Sequence, residues 1–204
     1  MKQLTPVPVP RPSPLVDDPL PWRTTATTTR FENRWVTVSV DQVALPTTQS
    51  YEYTRVNVNG VGVGVIGFND AGEILLEREY RHGVGDVVWQ LPGGLANGTE
   101  DLLTAGLREL LEETGHAPVQ VSAATVRYLG KVWDNPGLGT MQSHVVAVWG
   151  LVETAHPRRD PAEFVTLHWR SLDWVKQAIR SGEIEDRVVL AALAYLFVND
   201  LLSQ

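Results

Sequence analysis

Three glutamates in a row of five residues, Glu109, Glu112 and Glu113, are the part of this 204-residue chain best suited to chemistry. The spacing predicts a helix over Glu100–Gly115, with Thr99 as N-cap, Glu100 and Asp101 at its positive end and Gly115 as terminator. Leu103, Leu107, Leu110 and Thr114 fall along one stripe that would bury against a sheet, while the three carboxylates gather on another face. That gathering is unfavourable. Glu109 and Glu113 are a like-charged i,i+4 pair costing about 0.2–0.5 kcal/mol, and all three lie in the last turns, where the helix dipole disfavours anions. Arg108 reaches Glu112 at i+4 and cannot neutralise the group. A solvated acidic face is the ordinary outcome of such a run, whereas a bound Mg²⁺ or Mn²⁺ would remove the conflict outright.

The flanking residues favour the cation. Gly94, then Glu100, then the run Arg108-Glu109-Leu110-Leu111-Glu112-Glu113-Thr114-Gly115 resembles the Nudix box at each fixed position, and only His116 departs, standing where an aliphatic residue is usual. The resemblance implies a metal-dependent pyrophosphohydrolase. In it Glu109 and Glu113 are the main metal ligands and Glu112 assists. The Gly93 carbonyl is a further ligand, and Gly93 and Gly94 let the backbone approach the ion. Arg108 and Glu100 brace loop and helix, so Arg108 and Glu112 count with the catalytic set, and Gly94, Glu100 and Gly115 are the structural positions of the box. A metal in such a site draws charge from bridging phosphates and makes a nucleophile of water at neutral pH.

Outside the box, Glu79-Tyr80-Arg81-His82 and Trp89-Gln90-Leu91-Pro92-Gly93-Gly94 are similar to the ADP-ribose pyrophosphatase branch, and the likeness extends from about Phe31 to the C-terminus. It implies that Arg81 contacts substrate phosphates and that a loop acid before a late strand serves as base. Glu163 is the matching residue, with Asp160 and Glu153 in reserve; His82 is read as structural or incidental. Trp35 stacks on a base or packs a core. Trp133-Asp134-Asn135-Pro136-Gly137 departs from the branch's usual Ser-Pro-Gly, which leaves ADP-ribose and other nucleoside diphosphate sugars both open. The branch also implies a homodimer, with residues 31–58 exchanged between subunits.

These groups need elements to hold them. Alternating or apolar runs predict strands at Trp35–Val40, Tyr51–Val58, Val61–Val65, Ile74–Glu77, Val87–Leu91, Val126–Trp133, Ser143–Val152 and Val165–Trp169. Helices are expected near Leu172–Arg180 and Glu185–Leu202. Strands on both sides of a central helix, without regular βα alternation, indicate an α/β fold, a Nudix-type α/β/α sandwich with a mixed sheet. Gly62-Val-Gly64-Val-Ile-Gly67 satisfies G-x-G-x-x-G, but that fingerprint requires a loop opening a helix. Here Phe68-Asn-Asp-Ala-Gly72 follows, which is turn chemistry leading to another strand, so close-packed strand glycines are expected instead. Residues 1–30 carry seven of the thirteen prolines and read as an extended arm ahead of a domain at 31–204.

Composition bounds the function. Net charge −7 argues against a nucleic-acid partner, for which a basic face is expected. With no cysteine, thiolate metal sites and disulfides are excluded. No apolar run reaches a membrane span and Met1–Pro14 lacks a secretory signal, so a cytoplasmic enzyme with a nucleotide-linked small-molecule substrate is expected. Two other functions fit the same pattern: a non-catalytic sensor of ADP-ribose or a nucleotide, and a hydrolase of RNA 5′ ends or nucleoside triphosphates.

Overall fold

The structure is a computed structural model describing residues 15–159 and 163–202. Contacts divide these into two compact units, one of residues 61–132 and 142–202, the other of residues up to 60 with 133–141.

The first unit contains a mixed seven-stranded sheet among the described residues. Its strands are β4 (Val61–Phe68), β5 (Ile74–Arg81), β6 (Asp86–Gln90), β7 (Gly93–Ala96), β9 (Val126–Trp133), β10 (Gln142–Trp149) and β12 (Val165–Arg170). The order is β12-β5-β4-β10-β9, with β6 against β5 and β7 against β4; β4 and β10 run parallel, Val65 opposite Val146. A two-stranded ribbon joins β8 (His116–Pro118) to β11 (Leu151–Glu153).

Both faces of the sheet are covered, so its central strands are apolar at successive positions, as buried parallel strands are. Val63, Val65, Leu75, Val146 and Val148 point to helix α1 (Leu102–Thr114), where Leu103, Ala105 and Leu110 meet them. Ile66, Phe68, Ile74, Leu76 and Val145 point the other way, to α2 (Leu172–Ser181) and α3 (Arg187–Val198), through Val175, Ala178, Val189, Ala192 and Leu196. Each fully buried Leu or Ile contributes about 1.5–3 kcal/mol by leaving water. This is the α/β/α sandwich read from the sequence.

The fingerprint-like glycines lie inside β4, where no helix follows. A Cβ on Gly67 would come within 2.3 Å of Leu151 Cδ1, and one on Gly64 within 2.7 Å of Val188 Cγ1. They are glycines because both covering layers press on the strand.

The second unit is an antiparallel sheet, β1 (Arg23–Glu32), β2 (Val36–Ala44) and β3 (Ser50–Val58). β1 crosses residue 30, where the sequence pattern places the end of the arm; the threonine-rich stretch within it has high strand propensity and pairs with β2, Thr28 opposite Val40. All ten residues of β1 are exposed, and Trp22, Phe31, Trp35 and Tyr51 are exposed aromatic groups of this unit. Trp35 is therefore no core residue of the chain, and the Arg34 guanidinium lies 4.5 Å above its ring. Among the described residues, no helix is long and apolar enough to cross a membrane.

Candidate active site

Helix α1 starts two residues later than its sequence suggests. Asp101, not Thr99, is the N-cap, accepting from the Leu103 and Thr104 amides at 3.1 Å. The reason is that Glu100 is drawn elsewhere. Its carboxylate takes two hydrogen bonds from Arg108, at 3.0 and 2.9 Å, and one from the Asn97 amide at 3.1 Å. Arg108 beside it holds the Glu100 carboxyl below its ordinary range. At the other end Gly115 adopts φ 72° and donates to Leu111 O at 2.9 Å, a left-handed cap that only glycine takes without strain.

Arg108 is the hub of this helix. Besides Glu100, its Nη1 donates to Glu109 at 2.8 Å and to Glu112 at 3.0 Å, and its Nη2 to Leu95 O at 3.4 Å. The sequence reading gave it Glu112 at i+4 and, by resemblance, Glu100; the structure adds Glu109. It acts as a positioning residue, locking the acidic face against the loop after β7.

That loop and β7 supply the glycines. The Gly93 amide donates to Glu113 Oε2 at 2.6 Å. A Cβ on Gly94 would lie 2.7 Å from Glu109 Cδ, so the carboxylate occupies the space a side chain would need. Glu113 is buried, and burial pushes its carboxyl up, with the charges of Glu77, Glu109 and Glu163 adding to the shift and the Gly93 N–H opposing it. Glu109 is raised by burial as well, against the pull of Arg108, with Glu112 and Glu163 adding repulsion. Glu163 thus acts electrostatically on both box glutamates although it lies fifty residues beyond Glu113.

The return of the chain explains this. Arg158 N donates to Glu112 O at 2.6 Å and Arg159 Nε to Glu113 O at 2.7 Å, while Arg159 Nη1 reaches Val165 O at 3.3 Å. These contacts tie the segment before Glu163 to the C-terminus of α1, whose last carbonyls attract a cation. Arg159 had no sequence signal beyond being basic. Of the reserve acids, Asp160 lies outside the described residues, and Glu153 is exposed in β11 opposite His116. His116 itself packs edge-on against Trp169 and has Nδ1 2.8 Å from Thr114 O, so the departure from an aliphatic residue keeps the packing role.

Along β5, Leu75, Glu77, Glu79 and Arg81 share the face that α1 covers, because side chains alternate. Arg81 is half-exposed. Its Nε donates to Gln90 Oε1 at 2.9 Å and its Nη2 stands 3.0 Å from Glu79. His82 lies beside Tyr80, ring centroids 6.4 Å apart. Glu77, missed in the sequence pattern as a site residue, is fully buried, and among the described residues neither carboxylate oxygen has a partner of good hydrogen-bond geometry. Burial raises it to about 7, against the nearby Gln90 amide and with the Glu79 charge adding to the rise.

A mixed sheet thus carries on one face a helix whose acids are set on a glycine turn. The sequence matches the NUDIX domain over residues 58–193. It is 30% identical over 173 residues to the methanol dehydrogenase activator of Bacillus methanolicus, covering 84% of this chain and 90% of that one. Over 157 residues it is 31% identical to the ADP-ribose pyrophosphatase of Mycobacterium tuberculosis, covering 75% and 72%. A solved ADP compounds hydrolase superposes with TM-score 0.75 at 19% identity, over 91% of this chain and 96% of that one. The chain belongs to the Nudix family, as a pyrophosphohydrolase similar to its ADP-ribose pyrophosphatases.

Proposed function

We propose that this chain hydrolyses the pyrophosphate of a nucleoside diphosphate joined to a second moiety, ADP-ribose or another nucleoside diphosphate sugar, giving a nucleoside monophosphate and a sugar phosphate. The observation that carries the reading is the seating of two acids of α1 on one glycine turn, Glu113 accepting from the Gly93 amide and Glu109 filling the space at Gly94, with the Glu163 charge acting on both.

The acids suit a hard divalent cation, Mg²⁺ or Mn²⁺. All the donors are oxygens, they repel one another, and among the described residues the two buried oxygens of Glu77 have no partner of good hydrogen-bond geometry. Among the described residues no three of them form a ready-made cage, since Arg108 holds Glu109 and Glu112 and the Gly93 amide holds Glu113. The fit is therefore one of donor chemistry. Glu109 and Glu113 would be the main ligands, with Glu112 and the Gly93 carbonyl assisting. Such a cation, when bound, withdraws charge from the phosphates and lowers the pKa of a water.

The chain's own residues do the rest. Arg81 anchors a phosphate by charge-assisted hydrogen bonds, Glu79 and Gln90 fixing its Nη2 and Nε. Glu163 accepts the proton as the water oxygen forms its bond to one phosphorus. The P–O bond to the bridge oxygen breaks, and that oxygen leaves with the other phosphate. Trp35 is available to stack on a base.

The exposed aromatics and the wholly exposed β1 of the three-stranded sheet support a homodimer through that unit. Sedimentation equilibrium reads this directly, with a monomer at micromolar concentration as the contrary result.

The activity is tested on a panel of ADP-ribose, other nucleoside diphosphate sugars, dinucleotides, nucleoside triphosphates and 5′-triphosphate RNA, each with Mg²⁺, Mn²⁺ or chelator. Sugar phosphate and nucleoside monophosphate are the expected products. Glu113→Gln should lose at least about 10³-fold in metal-dependent turnover with its circular dichroism unchanged. Wild-type turnover in that variant would remove Glu113 from its assigned role. Tight binding without product would make the chain a sensor.

A further inference from the structure

Glu77 occupies a position where the fold calls for an apolar side chain. Ile74 and Leu76 of β5 enter the core under α2 and α3, and Leu75 enters the core under α1. Glu77 has the parity of Leu75, so its carboxylate is carried by the sheet into the space beneath α1. It is 0% exposed, and neither oxygen finds a donor of good hydrogen-bond geometry among the described residues.

Its neighbours show how unusual this is. Glu79, two residues on and also buried, is satisfied by Gln90 Nε2 at 2.6 Å and by Arg81 at 3.0 Å. Gln90, the cross-strand partner of Glu77 in register, is the group that most opposes the effect of burial on it, although its well-formed bonds run from its amide to Glu79 and from Arg81 to its carbonyl. Arg159 and Arg81 are the cations that act on Glu77 at longer range, and both are committed to other acceptors. Among the charges that act on Glu113, on the last turn of α1, that of Glu77 is the largest. Two buried carboxyls that face each other either take up protons or hold a cation between them.

We propose that Glu77 is a further ligand of the divalent-cation site, reaching from the sheet the ion that Glu109 and Glu113 reach from the helix. The inference rests on the metal-dependent reading above and extends its ligand set to β5. Hard cations of this type take about six oxygen donors, more than the helix and one carbonyl provide.

The test is Mn²⁺ binding to the metal-stripped, full-length protein, followed by calorimetry and by the electron paramagnetic resonance signal of free Mn²⁺. Glu77→Gln keeps the shape and removes the charge; it should weaken Mn²⁺ binding at least about tenfold or lower the number of ions bound. Glu79→Gln removes a charge from the same face that is already paired, and should change affinity by less than about threefold. Equal losses in the two variants would reduce Glu77 to a long-range charge and overturn the proposal. Should Glu77→Gln fail to fold, Glu77→Met, apolar and of similar volume, takes its place. Wild-type Mn²⁺ affinity in Glu77→Gln or Glu77→Met, with Glu113→Gln unable to bind, would overturn the role of Glu77 alone. A wild-type protein that binds no Mn²⁺ would overturn this proposal together with the reading it rests on.

Discussion

Glu77→Gln should make the metal-free protein more stable, and only at the alkaline end. A carboxyl that titrates near 7 in the folded chain and near 4.5 as a free side chain is harder to ionise once folded, because burial penalises the anion. The sign follows from that direction. Its stabilising contribution is fully present below the unfolded value and is lost as pH rises through the folded one. At 1.36 kcal/mol per pH unit, the loss at pH 8 is about 3 kcal/mol, and at pH 5 under about 1 kcal/mol. Glutamine, which never ionises, escapes it. For a chain of this size about 1 kcal/mol moves the midpoint by roughly 2–4 °C, so thermal denaturation in chelator should show a rise of at least about 4 °C at pH 8. At pH 5 the rise should shrink to about a quarter. A shift of the same size at both pH values would mean that glutamine improves packing and that the ionised carboxylate costs nothing. No shift at pH 8 would mean that water or a counter-ion already satisfies Glu77.

Two further substitutions separate the scaffold from the site. Gly94→Ala places a methyl 2.7 Å from the end of Glu109, a flexible side chain that can move aside; melting should change by less than about 3 °C, while Mn²⁺ affinity measured by calorimetry falls about 10–100-fold. Asp101→Ala removes the acceptor of two helix amides; the protein should lose about 1 kcal/mol in urea unfolding, with turnover per folded molecule unchanged.

What could be read in advance divides along physical lines. The acidic face of α1 is legible because a helix is periodic over local sequence: Leu103, Leu110 and Thr114 are buried where the stripe puts them. Glu163 could be placed only by resemblance, since the contacts that carry it home, Arg158 and Arg159 on the end of α1, join residues about 46 apart. Glu77 was legible as a strand residue but not as a site residue. A run of four buried positions, Ile74 to Glu77, hides its parity, and parity decides which face a side chain enters. The cap lies at Asp101 rather than Thr99 for a similar reason: Glu100 and Asp101 stand next to each other, and Arg108, about two turns further on, takes the first and leaves the second to the helix amides. The short strand β7 carries no alternation; its glycines are extended because β4 lies alongside, Gly94 opposite Val63.

The single guanidinium of Arg108, with its contacts to Glu100, Glu109 and Glu112, has a consequence for the life of the chain. Zinc fingers fold only when their metal arrives, because nothing internal offsets the clustered ligands. Here the polypeptide brings its own counter-cation to the acidic face. On the metal-dependent reading proposed above, newly made molecules would reach the native state without the ion, and its scarcity would idle finished enzyme rather than send unfolded chains to proteases.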